Sequence, residues 1–433
     1  MARSSGKKYR LWTPEANAQL VCTPSDRLPE GDLVFFLLDA VPRLDLSRFY
    51  APYEQEKRGA PPFDPALLVT LLLYSYAVGL FSSRKIALAC ERNLAFLAIV
   101  GDDRPDFRTI SDFRKIHVDA FADVFVQTIT LAAEAGMLGL GNLSFDGTKI
   151  KANASRHKAM SYGYMKKDKE RLEAEIKELL QKAKDTDETE DAALGTRRGD
   201  ELPDDLQRRQ DRLATIDAAM KRLEEQARAE AEEERKRRAE EEAERQATGR
   251  KRRGKEPEPV SEEPRDKAQT NFTDPQTKIM PQSNKGWDYA GNAQVAVDGM
   301  FQIVVACFVT MATNDKQQGV PVGEATKENL KQAGVELPVD EQGKEKKIVA
   351  TLDTGYFSEE AVKGLEQAGF DPHVATGRQK HNQGKGTPQA VGVPATATVK
   401  QKMAAKLATA QGKALYAMRK AIVEPVFGQI KGV

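Results

Sequence analysis

The feature that most constrains this chain is a charged, helix-patterned stretch, residues 161–270, lodged between two segments that read as strands. Leu172, Ile176, Leu179 and Ala183 step by four and three, and Leu206, Leu213, Ile216, Met220, Leu223 and Ala227 repeat the habit. Apolar residues at that spacing form one stripe along a helix. Arg197 to Pro203 breaks the pattern, so two helices are expected to fold back on each other as an antiparallel hairpin, zipped as a short coiled coil. Beyond Ala227 the stripe gives way to Glu/Arg/Ala repeats, then to Arg250-Lys-Arg-Arg-Gly-Lys255 and a Pro/Glu-rich run to about Pro264. A solvated helix fading into disorder is the expectation there. Any sheet must be assembled across this insertion.

Strand patterns stand on both sides of it. Leu143, Phe145 and Ile150 alternate with polar residues. Ala293–Val297 and Gln302–Thr310 read as two strands joined by an Asp298-Gly299-Met300-Phe301 hairpin turn. Lys316 to Gln332 is expected as helix, Lys347 to Asp353 as a buried strand, Ser358 to Ala368 as helix, His373 to Ala375 as the end of a strand, and Ala404 to Val423 as helix. Such alternation predicts a mixed α/β domain.

Residues 1–135 read as helical. Asp64 is the expected N-cap of a helix from Ala66 to Phe81, with Pro65 at its first position. Ser82 or Ser83 is expected to cap the next helix, carrying Ile86, Cys90 and Leu94 on one face. Thr109 or Ser111 is expected to start another, carrying Phe113, Ile116, Phe121 and Phe125. Short capped helices with tight turns suit a helix-turn-helix-like DNA reader as well as a plain bundle. The most apolar stretch, Pro65 to Phe81, is interrupted by Thr70, Tyr74, Ser75 and Tyr76 and falls short of the roughly 20 residues of a membrane span. Cys22, Cys90 and Cys307 are too scattered for a metal site and read as buried free thiols in a reducing cytosol. A cytoplasmic protein with no membrane partner is expected.

A net charge of +1 conceals a strong pattern. Gly147 to Lys167 holds Lys149, Lys151, Arg156, Lys158, Lys166 and Lys167 and no acid; from Thr376 onward Glu424 is the only acid among many Lys and Arg. Local excess of this kind suits a polyanion. Each basic segment carries or borders a single carboxylate, Asp146 or Glu424. Asp146 lies within an apolar strand pattern, Asp353 at the end of another before a Thr-Gly turn, and Glu424 among Ile422, Val423 and Val426, which reads as semi-buried. Three hard carboxylates without His or Cys partners suit Mg²⁺ or Mn²⁺, and two such ions can activate an attacking hydroxyl and stabilise the leaving oxygen of a phosphodiester. The four histidines have no ligand spacing, and no phosphate-binding or nucleophile-elbow motif is present.

At these residues the chain resembles the DDE transposases of bacterial insertion sequences, closest to the 1182 type of the IS4/IS5-like assemblage. The resemblance runs through Arg104-Pro-Asp-Phe-Arg-Thr-Ile-Ser-Asp-Phe-Arg114, Phe145-Asp-Gly-Thr-Lys-Ile-Lys-Ala-Asn-Ala-Ser155, His157-Lys-Ala-Met-Ser-Tyr162, Asn271-Phe-Thr-Asp-Pro275, Asp353-Thr-Gly-Tyr-Phe-Ser358 and Val423-Glu-Pro-Val-Phe-Gly-Gln-Ile-Lys431. It implies an RNase H-like catalytic domain from residues 140–160 and 271–433, a helical N-terminal domain over 1–135 that is a candidate DNA binder, and the coiled-coil insertion over 161–270. It implies Asp146, Asp353 and Glu424 as catalytic metal ligands for Mg²⁺ (or Mn²⁺), and DNA with terminal inverted repeats, plus target DNA, as substrate of a homodimer. Tyr416, Arg419 and Lys431 match the group's tyrosine–arginine–glutamate–lysine signature. The gap from Arg419 to Glu424 is one residue longer than in the wider pattern, which leaves Lys420 as an alternative to Arg419. Lys149, Lys151, Tyr416, Arg419, Lys420 and Lys431 are the expected DNA contacts. Relatives continue with more helix past the Lys431 position, so a truncated copy that binds DNA but has lost catalysis is the alternative expectation. A coiled-coil interaction protein with an inert α/β domain is the third.

Overall fold

The computed structural model describes residues 9, 11–12, 23–54, 59–194, 204–249, 259–282, 286–339, 343, 345–377 and 397–432. In chain order the elements are α1 (Leu33–Ala40), α2 (Ser47–Glu54), α3 (Pro65–Ala77), α4 (Ser83–Arg92), α5 (Leu94–Val100), α6 (Phe107–Ile116), α7 (Val118–Glu134), β1 (Asn142–Lys151), β2 (Ala159–Ser161), α8 (Tyr162–Leu194), α9 (Asp204–Thr248), β3 (Gln269–Asn271), β4 (Lys278–Pro281), β5 (Trp287–Asp298), β6 (Val304–Thr310), α10 (Gly319–Gln332), β7 (Ile348–Leu352), α11 (Glu359–Gln367), β8 (Phe370–Val374), α12 (Val399–Ala408) and α13 (Ala410–Gly432). They form two compact units: Met1–Thr148 with Gln294–Phe308 and Asn314–Val433, and Lys149–Ala293 with Val309–Thr313.

The first unit holds two large apolar cores. One is helical. Asp32, Asp64, Asn93 and Asp106 cap α1, α3, α5 and α6, each side chain accepting from a backbone N–H of its first turn. Asp106 starts α6, earlier than Thr109 or Ser111, and the apolar pattern from Phe113 to Phe125 is split between two helices that bend by 76° at His117. The bend brings Phe113 and Phe121 onto the same ring: Phe49 lies 5.7 Å from Phe113 and 5.0 Å from Phe121, with His117 buried between them and 3.3 Å from the Tyr53 hydroxyl. Leu94 does not extend the α4 face but opens α5 and is exposed. Cys90 is buried as expected; Cys307, on an outward position of β6, is exposed, and Cys22 lies outside the described residues. Among the described residues no single helix is long and apolar enough to cross a membrane.

The second core is built on a sheet. The sheet has six strands in the order β4-β5-β1-β7-β8, with β6 also pairing β5; β1, β7 and β8 are parallel, and β5 and β6 are joined by the turn at Gly299. The buried Asp298 carboxylate fixes that turn, accepting from the backbone N–H groups of Leu140 and Met300, each at 2.9 Å. Phe145, Leu352, Phe370, Val322 and Leu365 fill the space between the sheet, α10 and α11. The last apolar run is two helices. Thr409 is extended, and its hydroxyl accepts from Gly412 N at 2.9 Å, opening α13. Gly412 is required there, because a Cβ would overlap the Lys406 carbonyl. α13 passes through Pro425, which has no N–H for the Ala421 carbonyl; Gln302 donates to that oxygen instead, at 2.9 Å. Ile422, Val423 and Val426 then seat α13 on Val295 and Val297 of β5.

In the second unit, α8 and α9 run antiparallel, as the ion pairs Asp168–Arg212 and Glu175–Arg209 and the Tyr162–Glu224 hydrogen bond show. Leu172, Ile216 and Leu223 close on Tyr162 and Met165. The expected break at Arg197 to Pro203 and the basic cluster at Arg250–Lys255 lie outside the described residues. α9 itself continues to Thr248, past the end of its apolar stripe, carried by i,i+4 pairs such as Lys236–Glu232 and Arg238–Glu234. A small β2–β3 ribbon, absent from the sequence reading, closes the base of the hairpin.

Candidate functional site

Parallel pairing of β1 with β7 sets the site. The register runs from Asn142 opposite Val349 to Phe145 opposite Leu352, so Asp146 and Asp353 are the next residues on two neighbouring strands about 4.8 Å apart. β7 ends at Leu352 while β1 runs on to Lys151, so Asp353 leaves the end of its strand beside Asp146, which lies within β1 just past the paired segment. Asp353 also caps the short turn Thr354–Tyr356, its Oδ1 accepting from Gly355 N.

Asp146 faces inward. Its side chain is 21% exposed, and the Arg419 guanidinium, 9% exposed, donates to Oδ2 at 2.7 Å. Gly147 N donates to Oδ1 at 2.9 Å. Burial pushes the Asp146 carboxyl above the usual carboxylate range; Arg419 and the Gly147 N–H pull it back only part of the way, and the charge of Asp353 adds to the rise. Burial works against the charge on Arg419, but Asp146 outweighs it and holds the guanidinium firmly protonated. The contact depends on α13 lying against β1, where Ser144 Oγ donates to the Arg419 carbonyl at 3.3 Å.

Glu424 does not join the two aspartates. It is exposed, although its neighbours Ile422, Val423 and Val426 are buried. The reason is helical geometry. Arg419, Ile422, Val423 and Val426 fall on one stripe, while Glu424 lies about 140° round the helix from Arg419 at 3.6 residues per turn. Among the described residues no three His, Cys, Asp or Glu side chains form a group able to hold a metal ion.

Of the expected DNA contacts on α13, Arg419 is buried in its ion pair, and Tyr416 is half-buried with the Arg419 guanidinium 5.9 Å from its ring. Lys420 and Lys431 are exposed and, with Lys413, share the outer face that carries Glu424. In the second unit Lys149 is half-buried, and Lys151 is exposed with its ammonium 3.9 Å from Asp288, which Arg156 also pairs. In the first unit's helices, the basic residues of the Arg104–Arg114 block are partly committed to the fold. Arg104 donates to the Gly101 and Asp103 carbonyls, and Arg114 to Tyr76, Phe81 and Ser83. Arg84 stacks 4.2 Å from the Phe107 ring, and Arg108 is exposed beside it.

One group escaped the sequence reading altogether. Asp315, in the loop between β6 and α10, accepts from Gln294 Nε2 at 2.8 Å, and Gln294 Oε1 accepts from the Tyr356 hydroxyl. Gln294 and Tyr356 are buried. The chain of groups presses on Gly147, where a Cβ would stand 2.9 Å from Asp315 Oδ1. Only the glycine spacing after each aspartate, Asp146-Gly147 and Asp353-Thr354-Gly355, hinted at such crowding.

Residues 23–116 match the family model described as Transposase domain (DUF772), a span that ends where α6 ends. No curated protein and no solved structure matches the chain. The helical segment thus resembles a transposase domain, and the likeness supports a transposase of an insertion-sequence family.

Proposed function

We propose that this chain is a DDE-type transposase that cleaves and joins DNA at the ends of an insertion sequence, with Asp146 and Asp353 as the carboxylates of its metal site. The carrying observation is the pair itself, Asp146 within β1 and Asp353 just past the end of β7, each following the register pair Phe145–Leu352. The β5–β6 hairpin beside the parallel strands β1, β7 and β8 supports an RNase H-like reading of this domain.

The donor set fits a hard divalent cation. Carboxylate oxygens suit Mg²⁺ or Mn²⁺, and Mg²⁺ is commonly held by one or two carboxylates with water and substrate phosphate completing the shell. Glu424, on the outer face of α13, has no part in this site as the structure stands. When bound, the cation would favour attack by a hydroxyl and stabilise the leaving oxygen of the phosphodiester. The chain's own groups would do the rest. Arg419 favours the charged form of Asp146 and offsets part of the effect of its burial. Lys413, Lys420 and Lys431 present an exposed basic row on α13 to DNA phosphates. Pairing two DNA ends would call for a homodimer, working in the cytoplasm.

The test is Mg²⁺- or Mn²⁺-dependent nicking of a duplex bearing the element's inverted repeat by the purified chain. Asp146→Asn and Asp353→Asn should each abolish nicking while leaving salt-sensitive DNA binding in place. Nicking that survives either substitution would remove that residue from the site.

A further inference from the structure

We propose that Asp315 is a positioning residue for the Asp146–Asp353 pair, acting through Gln294 and Tyr356. The proposal rests on reading that pair as the cation-holding site. It adds a residue from outside both strands, in the loop Asn314-Asp315-Lys316 ahead of α10.

An ionised carboxylate only accepts, so Asp315 obliges Gln294 to turn its NH₂ toward it, and the donor lies 2.8 Å from Oδ1. Gln294 is fully buried, so its carbonyl end must then find a donor, and the Tyr356 hydroxyl supplies one. Tyr356 is 1% exposed, and burial together with the charges of Asp315, Asp146 and Asp353 raises its phenol well above its ordinary value. It therefore stays a donor. One charge at Asp315 fixes the direction of the whole chain.

Each link of that chain holds an element that carries a candidate ligand. Tyr356 ends the turn that Asp353 caps, so anchoring its hydroxyl holds the turn and the Asp353 carboxylate together. Gln294 on β5 and Asp315 both close on Gly147, the residue after Asp146. A Cβ on Gly355 would lie 2.9 Å from Asp353 Oδ1 and 3.8 Å from Asp315 Oδ2, which places these two carboxylates around the same backbone point. Asp315 thus braces the turn after β7 and the stretch of β1 that follows Asp146 at once. Partners that orient carboxylate ligands typically govern metal affinity by about 10- to 100-fold.

The experiment measures Mn²⁺ binding to the DNA-free full chain by electron paramagnetic resonance, beside thermal melting. Wild type against Asp146→Asn tests the site: wild type should bind Mn²⁺ and the variant should lose it. If both bind alike, or neither binds, the reading of the pair fails and Asp315 falls with it. Given a working site, Asp315→Asn should weaken Mn²⁺ binding by about tenfold or more with little change in melting, because the amide no longer dictates which way Gln294 turns. The double variant Asp315→Asn with Gln294→Glu reverses donor and acceptor, keeps one negative charge, and should recover much of the affinity. Should Asp315→Asn fail to fold, Tyr356→Phe keeps the ring in the core and removes the donor, and should weaken binding in the same way. Mn²⁺ affinity within twofold of wild type in whichever of these single variants folds would overturn the proposal.

Discussion

Replacing Arg419 with methionine removes the partner of Asp146 while a flexible apolar side chain still fills the space of the arginine stem. Losing one member of a fully buried ion pair costs about 3–5 kcal/mol, chiefly because the other charge is stranded. Asp146 keeps 21% of its side chain exposed, so water screens part of that charge, and about 2–3 kcal/mol is expected at neutral pH. A second bound agrees. The stranded carboxyl can escape by taking a proton, which from an ordinary aspartate costs about 4 kcal/mol at pH 7, and less here because burial has already raised Asp146. The pH dependence has a definite sign. With Arg419 gone, the folded-state pKa of Asp146 rises further above its unfolded value, so the folded state takes up the proton first on acidification. The deficit of Arg419→Met is therefore full above the folded pKa of Asp146, shrinks as pH falls through it, and vanishes near the unfolded value of about 3.9. Urea unfolding followed by circular dichroism at pH 7.5 and pH 4.5 measures both features. In the double variant with Asp146→Asn no charge is stranded, so it should regain at least about 1 kcal/mol over Arg419→Met alone. A variant within about 0.5 kcal/mol of wild type at pH 7.5, or an equal deficit at both pH values, would refute the buried-pair account.

Glu424→Gln should leave Mn²⁺ binding by the DNA-free protein within about twofold of wild type, since Glu424 lies on the outer face of α13; a tenfold loss would mean that the helix presents this residue to the aspartates. In the second unit, Asp168→Asn should cost about 1–2 kcal/mol in urea melts, because the buried Asp168 accepts from Arg171 and Arg212, both more than half exposed. Burial alone would raise Asp168, yet those two arginines outweigh it and hold the carboxyl below the usual range. Its contribution is thus present above about pH 3.9 and is lost as pH falls through the folded value, so equal melts of variant and wild type at pH 7 would contradict this assignment. Gly147→Ala should destabilise by about 1–3 kcal/mol through overpacking against Gln294 and Asp315, and a neutral outcome in the same melts would show that this crowding is not real.

The sequence revealed the site unequally, and the differences have physical causes. Asp146 and Asp353 were legible because an apolar strand is a local signal: Leu143, Phe145, Ile348, Ala350 and Leu352 are all buried, and each aspartate follows such a run. Asp315 was not legible, since it stands in a loop without periodicity and its partners are 21 residues away on β5 and beyond β7. The Arg419–Asp146 pair joins residues 273 apart and depends on α13 docking against β1, which no window of sequence contains. Glu424 differs from both. Its apolar neighbours Ile422, Val423 and Val426 suggested a semi-buried carboxylate, but adjacency in sequence is a strand argument, and this segment is a helix. Read at 3.6 residues per turn, those three residues share a stripe with Arg419, and Glu424 falls on the opposite side with Lys420 and Lys431. The information was therefore in the sequence, and the wrong period hid it. The same period separates the two sides of one helix: its inner stripe delivers Arg419 to Asp146, while its outer face leaves Lys413, Lys420 and Lys431 exposed.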